Sequence, residues 1–547
     1  MKKDILLTFF VCMLTMPAAA QGELNSRSMT IEGTYNPQIT EASKITPVPE
    51  KNSVRTNTSS VNYITEGKEY GKFSRKSMNT FSDADSISEI RKYYGTIKLG
   101  YGLRNNIDGM VDFNWNPSKK DKVSVIGSLY GWNTEMTETW RSKLYSTNWK
   151  ADYSHSFQKI ILNVNGAFAY ERFNYMPGYL MDPDSIKYND LYRGVTNGSL
   201  AAEIFSVAGS DLDYNVKIGC YGLNRNNISI NGSERTNKEN ILRIEGAVSV
   251  PYSGGRLGVG FRQKSAFYDW ESWNGLSKFK NFTTISLSPY WRWSDDDMEV
   301  NIGLNFDVRN GVGSKLMTSP YLWYKYKLKS DLTLYGQLKG GVLDNEVRHL
   351  NSLSPYWSEN SQIRDGYTFA DMSLGVKYVA SASVQMYMQG GLKYSKDELF
   401  QVVSDRYIVS SNILQDKAGL LYLKLGSDMS FLGKYDMNFD LMLADWNTKK
   451  INTAFVLKPW FDMNLNARTN IYGPLDASVK YNVSIFEKSN GFRLPMVNNL
   501  AIGFDYDLKD NISLFADFRN VLGQKYYYYS GYRALKFSFM LGASMRF

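Results

Sequence analysis

The chain is 547 residues long, carries a net charge of +9 and is 14% aromatic. Its mean hydropathy is −0.37, and no stretch beyond residue 20 approaches the roughly 18 consecutive apolar residues of a bilayer-spanning helix, which excludes that class. Acidic and basic residues are interspersed without long runs, which excludes a nucleic-acid patch.

Lys2 and Lys3, diluted by Asp4, precede an apolar core from Ile5 to Met16 that Pro17 ends. Ala18 and Ala20 supply the small residues a signal peptidase requires, so residues 1–20 are expected to be a signal peptide cleaved before Gln21. The core is too short for a permanent anchor. Cys12 follows Phe9, Phe10 and Val11 rather than the small residues of a lipoprotein site. After cleavage Cys220 is the only cysteine left, so no intrachain disulfide is expected, and loss of Lys2, Lys3 and Asp4 lowers the charge to +8.

Residues 21–90 have a different texture. Pro37, Pro47 and Pro49 stand among many Ser, Thr and Asn with little periodicity. The segment is expected to be linker-like, lying in the lumen or the periplasm, with at most a short strand at Met29–Tyr35 and a turn or two of helix at Gln38–Lys44.

From about Arg91 onward apolar and polar residues alternate in one run after another. Val300, Ile302, Leu304, Phe306 and Val308 alternate with Asn301, Gly303, Asn305, Asp307 and Arg309, and similar runs lie at 212–220, 475–485 and 500–508. A period of two places the two sets on opposite faces of a strand, so that one meets lipid and the other water. Short turns at 117–121, 154–158, 209–211, 251–255, 294–297, 329–331, 380–382, 432–434, 468–470 and 509–511 interleave with mostly longer segments, such as 174–193, 225–238, 344–365, 395–416 and 520–533. This asymmetry predicts an all-β fold, a transmembrane antiparallel β-barrel over 91–547 of about 22 strands, with 18–20 as the alternative. An even count returns the chain to its starting side, the periplasm. The polar faces nominate Asp213, Lys217, Asn301, Asp307, Arg309, Asp505 and Asp507 as lumen-lining residues.

Aromatic residues gather near strand ends. Trp115, Trp149, Tyr153, Trp291, Trp293, Tyr326, Tyr378, Tyr506 and Phe547 fall near the short turns, and Trp132, Trp140, Tyr175, Trp270, Trp446 and Phe486 near the long loops, as two interfacial belts require. Tyr179, Tyr188, Tyr192, Trp357, Tyr367 and Tyr526–Tyr529 in the long loops suit either the upper belt or ligand contact. In the tail, Leu535, Phe537, Phe539, Leu541, Ala543, Met545 and Phe547 alternate with polar or small residues, which predicts a closing strand that ends on an aromatic ring.

That tail resembles the end of TonB-dependent outer-membrane receptors, whose last hairpin carries Asn-Leu-Phe-(Asn/Asp)-Lys-x-Tyr before a strand ending in Phe. The corresponding run here is Asn520-Val521-Leu522-Gly523-Gln524-Lys525-Tyr526, with Asn520, Leu522, Lys525 and Tyr526 carrying the likeness. The resemblance implies that Phe537, Phe539, Leu541, Met545 and Phe547 form the signal read by the outer-membrane assembly machinery. It covers about 50 residues of the tail, and the strand count extends it to the barrel. Family members carry a plug of well over a hundred residues, whereas about 70 are free here, so a barrel without a full plug is expected. Ser28–Glu32 is a weak match to a TonB-binding box.

Catalytic patterns are lacking. His155, in a short turn, and His349, in a long loop, stand at no metal-ligand spacing, and neither a Gly-x-Ser-x-Gly elbow nor a phosphate-cradling loop occurs. Asp295-Asp296-Asp297 reads as a solvated turn. No enzyme, metal or cofactor is expected. The expectation is an integral outer-membrane receptor or transporter for an unidentified solute, with its N-terminus periplasmic. Its expected partners are outer-membrane lipid and lipopolysaccharide, the barrel assembly machinery, and TonB or a plug-like periplasmic protein. The alternatives are a barrel that anchors a partner complex through residues 21–90, and a passive porin. So wide a barrel leaks unless residues 21–90, inward-folded loops or another chain fill it.

Overall fold

The computed structural model describes residues 94–547 apart from 136–140, 175–191, 208–210, 229–233, 272–277, 312–314, 358–361, 403–411, 432–434, 453–455, 490–491 and 530–531. The expected signal peptide with Ala18, Ala20 and Gln21, the 21–90 segment, Trp140 and Tyr175 therefore lie outside the described residues. Among those described, 22 strands form one closed antiparallel barrel that starts with Gly95–Gly102 and ends with Ser538–Arg546. No described helix is long and apolar enough to cross a membrane. One short helix, α1 (Val347–Leu353), and two small hairpins sit in the loops.

The barrel shuts where the first and last strands pair, from Thr96 opposite Arg546 to Gly102 opposite Met540. Phe547 finishes the seam. Its carbonyl accepts from the N–H of Tyr94 at 2.6 Å and of Gly95 at 3.1 Å, and its own N–H donates to the Gly95 carbonyl at 3.0 Å. Its ring stacks on Phe113, with centroids 6.3 Å apart. Closure removes both sheet edges, which is what a β-structure in hydrocarbon requires. Inside the lumen the Phe515 ring lies over the seam. A Cβ at Gly100 or Gly542 would come within 2.7 or 2.2 Å of that ring, so both positions must be glycine for it to lie there.

The predicted alternation is visible in exposure. Ile302, Leu304, Phe306 and Val308 are 48, 51, 38 and 46% exposed on the outer wall, while Asp307 and Arg309 between them are 2 and 5% exposed. Trp115, Trp149, Tyr153, Tyr326, Tyr378, Tyr506 and Phe547 are exposed near the short-turn end, forming the lower aromatic belt. Phe537, Phe539, Leu541 and Met545 are 39, 38, 57 and 44% exposed on the same outer wall. Leu535 departs from the series: the strand begins only at Ser538, and Leu535 is buried in a loop cluster.

Three other expectations are corrected. The turn at 468–470 is instead part of the strand Phe461–Tyr472; the reversal falls at Gly473 (φ +54°), and Asn470 Nδ2 donates to the Gly473 carbonyl at 2.8 Å. The long segments 225–238 and 395–416 shrink, because flanking strands run on to Ile228, Glu234, Val402 and Asn412. The upper belt is the third. Trp132, Trp270, Trp446 and Phe486 are 9, 2, 9 and 4% exposed and point inward. Strands such as Asn412–Phe431, at 20 residues, far exceed the roughly 9–11 that span a bilayer. Their upper ends form a collar above the lipid, where aromatic rings gain by turning into the mouth.

Candidate functional site

The collar is closed by the chain itself. The loop 344–365 leaves the strand Leu332–Leu343, crosses the mouth and returns to Gly366–Ser381. Its two feet share one ammonium: Lys264 Nζ lies 3.0 Å from Asp344 Oδ1 and 2.6 Å from Asp365 Oδ1. Arg262 also pairs with Asp344, and Arg243 with Asp344 (3.2 Å) and Glu346. Burial alone would raise the Asp344 carboxyl, but Lys264, Arg262 and Arg243 hold it well below the ordinary carboxylate range. Asp307 and Arg309 complete the foot. Asp307 accepts from Ser286 Oγ and from Tyr367 OH (3.1 Å), and Arg309 donates to the Asp365 carbonyl at 2.6 Å.

Beyond the feet the loop is held at its helix and its tip. Glu239 accepts from the backbone N–H of Val347 at 2.9 Å and of Arg348 at 3.4 Å, occupying donors that the first turn of α1 leaves open. Arg225, fully buried, donates to Asn351 Oδ1 (2.6 Å) and to the carbonyls of Pro355 and Trp357 (each 3.1 Å). Trp357 stacks near Trp270 at 6.2 Å, and Tyr356 meets Phe173 edge-on at 5.1 Å. Phe173 stands on the wall far round from the loop's own strands, so the loop bridges the mouth. Leu144, Phe173, Trp270, Leu350, Trp357 and Leu535 belong to one buried cluster. Two smaller clusters, one around Phe400 and Trp446 and the other around Phe486 and Tyr526, close the adjoining sectors.

Lys458 stands between the cap and the second cluster, 3.2 Å from Glu398 Oε1 and over the rings of Trp446 (4.0 Å) and Phe400 (4.4 Å). His349 in α1 feels both Lys458 and Glu398. Burial, reinforced by the Lys458 ammonium, lowers its pKa. His155 closes the strand Arg141–Ser156 rather than sitting in a turn, with Nδ1 2.7 Å from Asp121 Oδ1 at the opposite end of the barrel.

Of the seven nominated lumen residues only Asp307 and Arg309 come together, at the cap's foot. Asp213 accepts from Ser206 Oγ at 2.6 Å, and Lys217 stands opposite Glu203. Asn301 stands opposite Trp323. Asp505 is opposite Asp476, and Asp507 accepts from Ser513 Oγ at 2.5 Å. Of the loop aromatics, Trp357, Tyr367 and Tyr526 are each 1% exposed, and Tyr179 and Tyr188 lie outside the described residues. Sequence reasoning missed Lys264, Arg262, Arg243, Glu239 and Arg225. The available signal was their inward parity, together with the aspartates that bracket the loop at 344 and 365.

The family-like hairpin is built around Asn520, which takes φ +48° and is 3% exposed. Its Nδ2 donates to the carbonyls of Gln524 (3.0 Å) and Leu535 (2.9 Å), and its Oδ1 accepts from the Gln524 N–H. Asn tolerates this left-handed backbone and ties the loop to the start of the closing strand. Tyr526 packs with Phe486, Leu494 and Val497, while Leu522 is 47% exposed and Lys525 faces solvent.

No family model and no curated protein matches the chain. Solved structures do. The siderophore receptor PirA from Acinetobacter baumannii superposes with a TM-score of 0.63 at 12% identity, over 83% of this chain and 80% of that one. A variant of the ferric enterobactin receptor PfeA from Pseudomonas aeruginosa, in complex with enterobactin, gives 0.63 at 12% identity over 83 and 81%. The copper transporter OprC gives 0.59 at 12% identity over 83 and 80%. The fold is the β-barrel of these solved structures. The roughly 22 strands expected from the series of short and long turns are present as 22, and among the described residues the barrel holds no plug domain. Its long-loop end is bridged by its own loop 344–365.

Proposed function

We propose that the protein is an outer-membrane receptor or transporter, similar to TonB-dependent receptors, that admits a solute past a self-closing cap. The observation that carries this reading is a receptor-type barrel with a polar inner wall whose mouth is bridged by an ion-clamped loop. The exported N-terminus would lie in the periplasm and present residues 21–90 to TonB or to a plug-like partner. Ferric siderophores and copper, named for the structural neighbours, are the first probes to try. The cap argues against a permanently open porin.

The test is uptake. Cells carrying the gene should accumulate one such probe, and deletion of either the gene or TonB should abolish accumulation. Accumulation that survives loss of TonB would point to passive entry. Co-purification of a periplasmic complex that vanishes on deleting residues 21–90, with no uptake of any probe, would favour the anchoring alternative.

A further inference from the structure

One patch of the inner wall keeps its polar groups idle. Asn301, Trp323 and Gln337 stand side by side in register on the neighbouring strands Met298–Asn310, Lys315–Lys327 and Leu332–Leu343. Asn301 shares the inward parity of Asp307 and Arg309, so all three side chains face the lumen. Among the described residues neither amide makes a hydrogen bond, and Asn301 Oδ1 and Gln337 Nε2 are shut off from solvent as well. Leaving such an atom unpaired costs about 1–3 kcal/mol. Nearby amides are engaged. Asn305 accepts from Ser288 Oγ at 2.7 Å and donates to the Gly340 carbonyl at 3.1 Å, and Gln389 donates to Ser373 Oγ at 2.9 Å.

The tryptophan between the two amides has no structural reason to be there. Interfacial belts place indoles on the outer wall, as with Trp149, whereas Trp323 is half-buried on the inner one. Among the described residues its indole N–H has no acceptor. Both amides turn readily about their last bond, so a hydroxyl at either edge of the indole is met by a donor or an acceptor.

The neighbouring charges narrow the occupant further. Arg292, on the strand Phe282–Ser294, stands opposite Asn301 on one side and opposite Arg256 on the other. Like charges so placed are destabilising. Arg256 donates to the hydroxyl and the carbonyl of Ser249, while Arg292 is exposed to the lumen with no ion pair among the described residues. Glu299 on the same wall stands opposite Lys325, whose charge it balances. The Arg292 guanidinium is thus left to hold an anion, and its fork matches a carboxylate. A flat aromatic anion would use the indole and the guanidinium but leave both amides idle.

We propose that this patch binds an acidic oligosaccharide, with a sugar ring on Trp323, hydroxyls on Asn301 and Gln337, and a uronate carboxylate on Arg292. Arg292 to Gln337 spans three strand spacings, about 14 Å along the wall, so more than one sugar unit is engaged. The assignment names a solute class for the receptor reading and rests on it, since the lumen must be a path for solute.

Isothermal titration calorimetry of the purified mature chain tests this, with oligomers of galacturonate, mannuronate and guluronate as probes. At least one should bind, and its methyl ester, with the same ring hydroxyls and no charge, should bind about tenfold more weakly. Trp323→Ala should weaken the acid about tenfold or more, and Arg292→Gln should erase the preference over the ester. Trp291→Ala is the control: Trp291 faces outward, opposite Ile302, and its loss should leave binding unchanged. Heat-modifiable gel mobility checks folding, and the comparison of acid with ester needs only the wild type. Binding of none of the three acids, equal affinity for acid and ester, or equal binding by wild type and Trp323→Ala would overturn the assignment. So would ferric enterobactin binding where no uronate does. Calorimetry is read apart from uptake. Uronate binding without accumulation in cells keeps the site and overturns the transport reading, whereas accumulation of another solute without uronate binding overturns the site alone.

Discussion

The ring of Tyr356 lies flat on that of Tyr532, with centroids 3.5 Å apart and planes 7° from parallel. Tyr356 belongs to the bridging loop 344–365 and Tyr532 to the loop before the closing strand. The stack therefore joins two loops whose strands stand well apart around the barrel.

Tyr356→Ala should release the tip and leave the barrel intact. Truncation of a buried aromatic costs about 3–5 kcal/mol, here charged to the cap because both rings lie above the membrane. Planar-bilayer recordings should show frequent openings where the wild type is mostly silent, with unchanged heat-modifiable mobility. A silent Tyr356→Ala barrel would refute the latch.

Lys264→Met should loosen the foot of the loop at Asp365. Asp365 is fully buried and Asp344 three-quarters so, and removing one partner of such a network costs about 3–5 kcal/mol. Limited proteolysis of intact cells should then cut within 344–365, at a rate at least tenfold above wild type. Because Arg262 and Arg243 still hold Asp344, the Asp365 side should detach first.

Acidification should loosen the cap through His349. Its pKa is lowered in the closed state by burial and by Lys458, with Arg348 adding to this and Glu398 and Asp344 opposing it. The closed state thus binds fewer protons than the open one. Closure is favoured above the ordinary value of 6.5 and weakens as pH falls below it toward the lowered pKa. Asp344 is depressed from an ordinary 3.8, so its contribution is lost only at lower pH and does not confuse the window. Conductance should rise between pH 7.5 and pH 5 in wild type but not in His349→Gln.

Deleting Phe547 should cost the seam three backbone hydrogen bonds, each worth about 0.5–1.5 kcal/mol, and the stack on Phe113. Folded barrel in the outer membrane should fall severalfold by quantitative immunoblot. Phe547→Tyr should restore it, since both the backbone bonds and the ring are kept.

The barrel was legible in the chain because its signal is local. Alternation at a period of two, as in Val300–Arg309, is imposed residue by residue by lipid on one side and water on the other. Turn chemistry and the last hairpin around Asn520 are equally local, and they delivered the strand count. The loops were not legible for the opposite reason. Nothing near Trp270 or Trp446 in sequence says whether a ring at a strand end will meet lipid or turn into the mouth. That depends on how far the strands rise above the bilayer and on what crosses between them. Asp344 and Asp365 reveal their role only when Lys264, some eighty to a hundred residues away, is set between them by closure. Sequence by itself thus determined a transmembrane cylinder with a wet interior. Only tertiary structure decided that the interior is shut by its own loop, because the ion pairs and ring stacks that shut it join residues which no local pattern connects.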